Sequence, residues 1–164
     1  MIARLTPGGY ETELRMSEEH LEAFRFRLVP AGTRTVATRT KLTFLGIGQD
    51  DRRDLTPPPL RLAARLVPGV SWNDAYKAGS LLVRVRSTVL RRDAVEVGGK
   101  SLPVVVVRIR SDTEGAHPGT RIETLWWSPS LALALRHDDD LEVGGVFSLR
   151  ERSTARLLST VPRT

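Results

Sequence analysis

The stretch that decides the fold runs from Leu81 to Ser111. It reads Leu81-Leu82-Val83-Arg84-Val85-Arg86-Ser87-Thr88-Val89-Leu90, then Ala94-Val95-Glu96-Val97-Gly98-Gly99, then Pro103-Val104-Val105-Val106-Val107-Arg108-Ile109-Arg110-Ser111. Val83, Val85 and Val89 alternate with Arg84, Arg86 and Thr88, and Val105, Val107 and Ile109 alternate with Val104, Val106, Arg108 and Arg110. Successive side chains of a strand point to opposite faces, so a period of two gathers each set on one face of a sheet. Glycine accepts the positive φ of a tight hairpin turn, which Gly98-Gly99 supplies. The stretch predicts a hairpin with an apolar face and an arginine-bearing face, as in an antiparallel sheet wetted on one side.

The same period extends outward from this hairpin. Val36, Thr38, Thr40, Leu42 and Phe44 oppose Arg39, Lys41 and Thr43, while Phe147, Leu149, Ala155 and Leu157 oppose Arg150, Arg152, Thr154 and Arg156. Pro30-Ala31-Gly32, Glu114 to Gly119 and Gly144-Gly145 carry turn chemistry between the runs. The expected fold is mainly β: a single domain over 1–164, a curved antiparallel sheet (half-barrel or open barrel) with at most one short helix. Ser17 to Phe24 reads either as one or two helical turns capped by Ser17 or as a polar turn between strands. The stretch 46–72 holds Asp50-Asp51-Arg52-Arg53-Asp54 and Pro57-Pro58-Pro59. Proline lacks the amide hydrogen that a central strand needs, so this stretch reads as a Pro-rich crossing connection, with a short strand at Leu60 to Val67.

Composition sets outer limits. The chain has 164 residues, no cysteine and a formal net charge of +6. Without cysteine there is no disulfide framework, cysteine metal ligand or cysteine nucleophile. Only Lys41, Lys77 and Lys100 are lysines among the 25 basic residues, a skew that a GC-rich genome produces whatever the function. The nineteen acids are spread among the arginines, so the charge reads as a mixed polar surface and nucleic-acid binding is not expected. No run approaches the roughly 20 apolar residues of a membrane helix, so no transmembrane segment is expected. Met1 to Gly9 is too short and broken for a signal peptide. The chain suits either a cytoplasmic protein or the mature part of a secreted or cell-envelope one.

Decisive catalytic motifs are missing. His20, His117 and His137 lie in separate polar segments and read as exposed loop histidines, with no metal expected. Asp138-Asp139-Asp140 reads as a solvated turn. Glu123 and Glu151 are the one carboxylate pair worth weighing for acid–base work, and a buried carboxylate normally has an arginine partner. Trp126 and Trp127 are adjacent in a strand and so project to opposite faces, one toward the core and one toward a second layer, groove or interface. Trp72, after Pro68-Gly69, pins the long connection to the sheet. Arg84 and Arg86, Arg108 and Arg110, and Arg150 and Arg152 form a stripe on the polar face if their strands are neighbours.

From Pro57 on, the order of features resembles a group of uncharacterised secreted, lipoprotein-like β proteins of high-GC bacteria. The matching elements are Pro57-Pro58-Pro59-Leu60-Arg61-Leu62, Pro68-Gly69-Val70-Ser71-Trp72, Ala94 to Gly99, Leu125-Trp126-Trp127-Ser128-Pro129 with Leu131 to Arg136, and Ala155 to Pro162. That group is distantly similar to the LolA/LolB-like half-barrel envelope proteins, whose curved sheet wraps a hydrophobic groove. The resemblance implies an exported or lipid-anchored binding protein without catalytic residues. This chain departs from it in having no lipid-attachment cysteine, and in having Ser130-Leu131-Ala132 where a glycine is usual.

The expected function is non-enzymatic and extracytoplasmic: binding an apolar or amphipathic, lipid-like ligand on the concave face of the sheet, without a cofactor. Trp126 and Trp127 would wall the ligand, and Arg84, Arg86, Arg108 and Arg110 would fix an anionic head. The alternative is a subunit docking onto a protein partner through its arginine-rich face or a sheet edge.

Overall fold

A computed structural model describes residues 2–15, 18, 20–44, 47–115, 118–144 and 148–159. Every regular element among them is a strand: β1 (Ile2–Thr6), β2 (Gly9–Arg15), β3 (His20–Val29), β4 (Gly32–Phe44), β5 (Ile47–Asp54), β6 (Leu60–Ala63), β7 (Ser71–Ala78), β8 (Leu81–Val97), β9 (Lys100–Glu114), β10 (Gly119–Ser128), β11 (Leu133–Val143) and β12 (Leu149–Arg156). They form two antiparallel six-stranded sheets. The first runs β1-β2-β3-β4-β5 with β6 also paired to β4; the second runs β12-β11-β10-β9-β8-β7. Neither closes into a barrel. Among the described residues no helix is long and apolar enough to cross a membrane.

The deciding hairpin is β8–β9. Gly98 and Gly99 take φ of 57° and 76° at its turn, and the register runs from Val97 opposite Lys100 to Leu82 opposite Glu114. Val83, Val85, Val89, Val105, Val107 and Ile109 are all buried, and they face Tyr10, Leu14, Phe24, Phe26 and Leu62 of the first sheet in one shared core. Pro103 sits on β9 beyond Val105, the last residue that β10 pairs, so its missing amide hydrogen leaves no gap in the β9–β10 ladder.

Two expectations change here. The stretch 46–72 does lead from the first sheet to the second, and the short strand expected from Leu60 is present as β6, but it also contains β5. The charged run Asp50 to Asp54 is an outer strand paired only with β4. A strand with one open edge tolerates and profits from such charge, which discourages pairing with another chain. The helical option at Ser17 to Phe24 gives way to strand from His20 onward, while Ser17 and Glu19 lie outside the described residues. His117, Gly145, Phe147 and the end of the chain from Thr160 lie outside them as well.

Two irregularities place side chains that matter below. Where β6 meets β4 the register slips: Thr33 is opposite Leu62 and Arg34 opposite Leu60, so Arg61 has no cross-strand partner. Such a bulge re-aims a side chain, and Arg61 turns into the space between the sheets. Gly32 is required for this docking. With φ 136°, a Cβ built on it would stand 2.0 Å from the Leu62 carbonyl oxygen. A second slip lies between Trp126 and Trp127 on β10. Beside it Leu135 is wholly buried, in a small outer cluster with Val97 and Val104.

Candidate functional site

Between the sheets, β3 and β6 confront β10 and β11 with charge rather than hydrocarbon. Arg61 donates two parallel hydrogen bonds to Glu123, both 2.7 Å. The Glu123 side chain is 3% exposed and that of Arg61 12%. Arg121, on the same face of β10, donates to Glu22 (2.6 Å) and through Nε to Asp139 (3.0 Å). His137 Nε2 stands 3.0 Å from Glu123 Oε1. His20 Nδ1 is 3.1 Å from Glu151. Both guanidiniums lie over Phe24, each 5.6 Å from its ring centre.

The electrostatics follow from this packing. Burial alone would raise the Glu123 carboxyl, but Arg61 and Arg121 overcome it and hold the group well below the usual carboxylate range. Arg61 and Arg121 stay charged despite burial, because Glu123 and, for Arg121, Glu22 and Asp139 face them. Asp139 goes the other way: burial pushes its carboxyl up, against the pull of Arg121, and Glu123 adds to the rise. The centre sets three carboxylates (Glu22, Glu123, Asp139) against two guanidiniums, with His20 and His137 beside them. Burial also raises the Tyr10 and Tyr76 hydroxyls. A carboxylate clamped by bidentate arginine is a poor proton acceptor, so Glu123 is not poised for acid–base work.

This ionic centre separates two kinds of interior. On one side, Tyr10, Phe26, Leu125 and Trp127 pack against it, leaving a space of about 30 Å³. On the other is a cavity of about 290 Å³. Leu55, Leu60, Val83, Val85 and Ile109 give it apolar walls, Thr35, Thr38 and Thr113 add hydroxyls, and Glu22, Arg61, Arg121 and Glu123 form its charged end. Thr38, Thr40, Leu141 and Val143 also border an adjoining space of about 380 Å³, shared with Ala78 and the half-exposed Asp51–Arg53 pair. The cavity thus leads outward between β4, β5 and β11.

The residues expected to bind do not meet there. Trp127 is in the core, its ring centre 6.4 Å from that of Tyr10. Trp126 projects to the other face, where the Arg136 guanidinium lies 4.2 Å from its ring centre. The opposed projection of the two is as expected, but neither lines the large cavity. Arg84, Arg86, Arg108 and Arg110 stand on the exposed outer face of the second sheet, away from the cavity. Trp72 pins the connection by donating its indole N–H to the Leu60 carbonyl at 2.9 Å.

Two readings of polar residues are corrected. His137 is a buried strand residue of β11 and His20 a largely buried one of β3, not loop histidines. Asp138 to Asp140 run along β11 rather than through a turn, with Asp139 buried against Arg121. Glu123 has the arginine partner expected of a buried carboxylate, Arg61, while Glu151 is engaged by His20. Among the described residues, no group of three or more His, Asp or Glu is arranged to hold a metal ion. No protein-family model, curated protein or solved structure matches the chain, so its own residues have to carry the functional reading.

Proposed function

We propose that this protein is a non-enzymatic binding domain that holds a small amphipathic molecule between its two sheets. The observation that carries this reading is the cavity of about 290 Å³, apolar along its walls and charged at its inner end. Its size is near the lower limit for small-molecule pockets, which run from about 300 to 1,000 Å³, and suits one short tail rather than a two-tailed lipid. Each methylene buried there would contribute about 0.8 kcal/mol. The threonine hydroxyls of β4 and the Arg121 side chain supply hydrogen-bond partners for a polar group. The buried carboxylates are committed to arginines or kept from the cavity wall, which favours binding over chemistry.

The test uses a single-chain fluorescent fatty acid as the probe, displaced by unlabelled medium-chain fatty acids and alcohols. Saturable binding should be lost in Leu141→Trp, which narrows the outward path, while the thermal midpoint stays close to that of the parent. Absence of saturable binding in the parent protein, or full binding in the narrowed variant, would exclude the cavity as the site.

A further inference from the structure

The outer face of the second sheet holds two populations of arginine. On β11 and β12 most are matched: Arg136 donates to Asp138 at 2.8 Å, Arg152 to Asp140 at 2.8 Å, and Arg150 lies 3.7 Å from Asp140. Arg156, opposite Arg136, has no carboxylate within 4.0 Å among the described residues. On β8 and β9, Arg84 has Glu114 (2.7 Å) and Arg110 has Asp112 (2.9 Å). Arg86 and Arg108 have no carboxylate within 4.0 Å among the described residues. The register places Arg86 directly opposite Arg110, and Arg108 one step along, opposite Thr88. Like charges paired across a ladder cost stability, and the β8–β9 half has two arginines without a carboxylate where the β11–β12 half has one, Arg156.

The surroundings narrow what would balance it. Ser71, Asn73, Ala75, Thr88, Ile122 and Thr124 share the face in register with these arginines, all shorter than arginine, so the guanidiniums are its tallest groups. No free aromatic stands among them; Trp126, the aromatic of that face, lies under Arg136. Single-stranded nucleic acid relies on such stacking platforms. Arginines exposed on an outer sheet face give a lone phosphate no enclosure, whereas a bilayer presents many phosphates in a plane. Guanidinium takes phosphate oxygens in pairs.

We propose that the β8–β9 face docks this protein onto an anionic lipid bilayer, with Arg86 and Arg108 engaging headgroup phosphates. Arg84 and Lys77 extend the basic face toward the strand ends where Leu81, Thr113 and Gly119 border the cavity. Docking does not require the cavity to be filled.

Co-sedimentation with vesicles tests this, using phosphatidylcholine alone and phosphatidylcholine with one-third phosphatidylglycerol, at low and high salt. The protein should bind only the anionic vesicles, and salt should release it. In Arg86→Gln/Arg108→Gln, partitioning should fall on the order of 30-fold, since each basic residue near an anionic surface counts for about fivefold. Arg150→Gln/Arg152→Gln removes equal charge from the opposite edge of the sheet and should lose much less. Equal losses in both variants, equal binding to neutral vesicles, or no binding to anionic ones would overturn the proposal. So would binding of an oligonucleotide, sensitive to Arg86 and Arg108, without vesicle binding. Leu141→Trp should still dock, which separates failure here from failure of the cavity reading.

Discussion

Arg61 and Arg86 are residues of one type in opposite circumstances. Arg61 lies between the sheets, clamped by both oxygens of Glu123, with Phe24 beside it. Arg86 stands in water on the back of the second sheet, opposite another arginine and without a carboxylate partner among the described residues. Burying a charge costs far more than exposing one, so the interior arginine is kept only with its partners in place. The outer one costs little to keep and little to remove. Interior charge here is architecture, and outer charge is available for recognition.

The largest effect should come from splitting the inner pair. Glu123→Gln leaves Arg61 buried with an uncharged partner and should cost about 3–5 kcal/mol in urea unfolding. Replacing both partners, as in Arg61→Met/Glu123→Leu, should restore most of that loss, because the apolar pair leaves no orphaned charge. If the double variant were as unstable as the single, ionic pairing would not be what holds this centre together.

A smaller effect should appear in the pH dependence of stability, with opposite signs for two neighbours. Glu123 is held below its ordinary value, so its contribution is present above the ordinary carboxylate range near pH 4.3 and is lost as pH falls through the depressed value. Asp139 is held above its ordinary value, so its contribution is complete below about pH 3.9 and is lost as pH rises through the raised one. The gap between the parent and Glu123→Gln should therefore shrink in acid. Asp139→Asn should gain on the parent as pH rises through the raised value. Unfolding curves across this range, with both gaps flat, would contradict the assignment.

The smallest effect belongs to the outer face. Arg86→Gln relieves the contact with Arg110 and should raise the thermal midpoint by about 1–3 °C. A fall would mean that Arg86 has a structural partner after all. Removing an exposed arginine should thus help the isolated fold while weakening vesicle binding, the reverse of what Glu123→Gln does.

Much of this fold was legible in the residues. Alternation in Leu81 to Ser111 marked a hairpin with the correct inner set, and the adjacency of Trp126 and Trp127 put them on opposite faces. The inner face of β11 was partly legible too: His137 and Asp139 share parity with Leu141 and Val143, which would have placed them inside. The polar run around them hid that signal, because period-two reading relies on contrast between apolar and polar neighbours. Strand β5 was missed because Asp and Arg have poor strand propensity, although an edge strand accepts them.

The sequence by itself determined the β8–β9 hairpin, the faces of its strands and the absence of cysteine chemistry, because alternation and turn residues act over a few neighbours. Only the tertiary structure decided that two open sheets enclose a cavity, that Arg61 reaches Glu123 across 62 positions, and that Arg86 meets Arg110. Those depend on which strands pair and on single-residue slips in register, long-range choices to which a local period is blind.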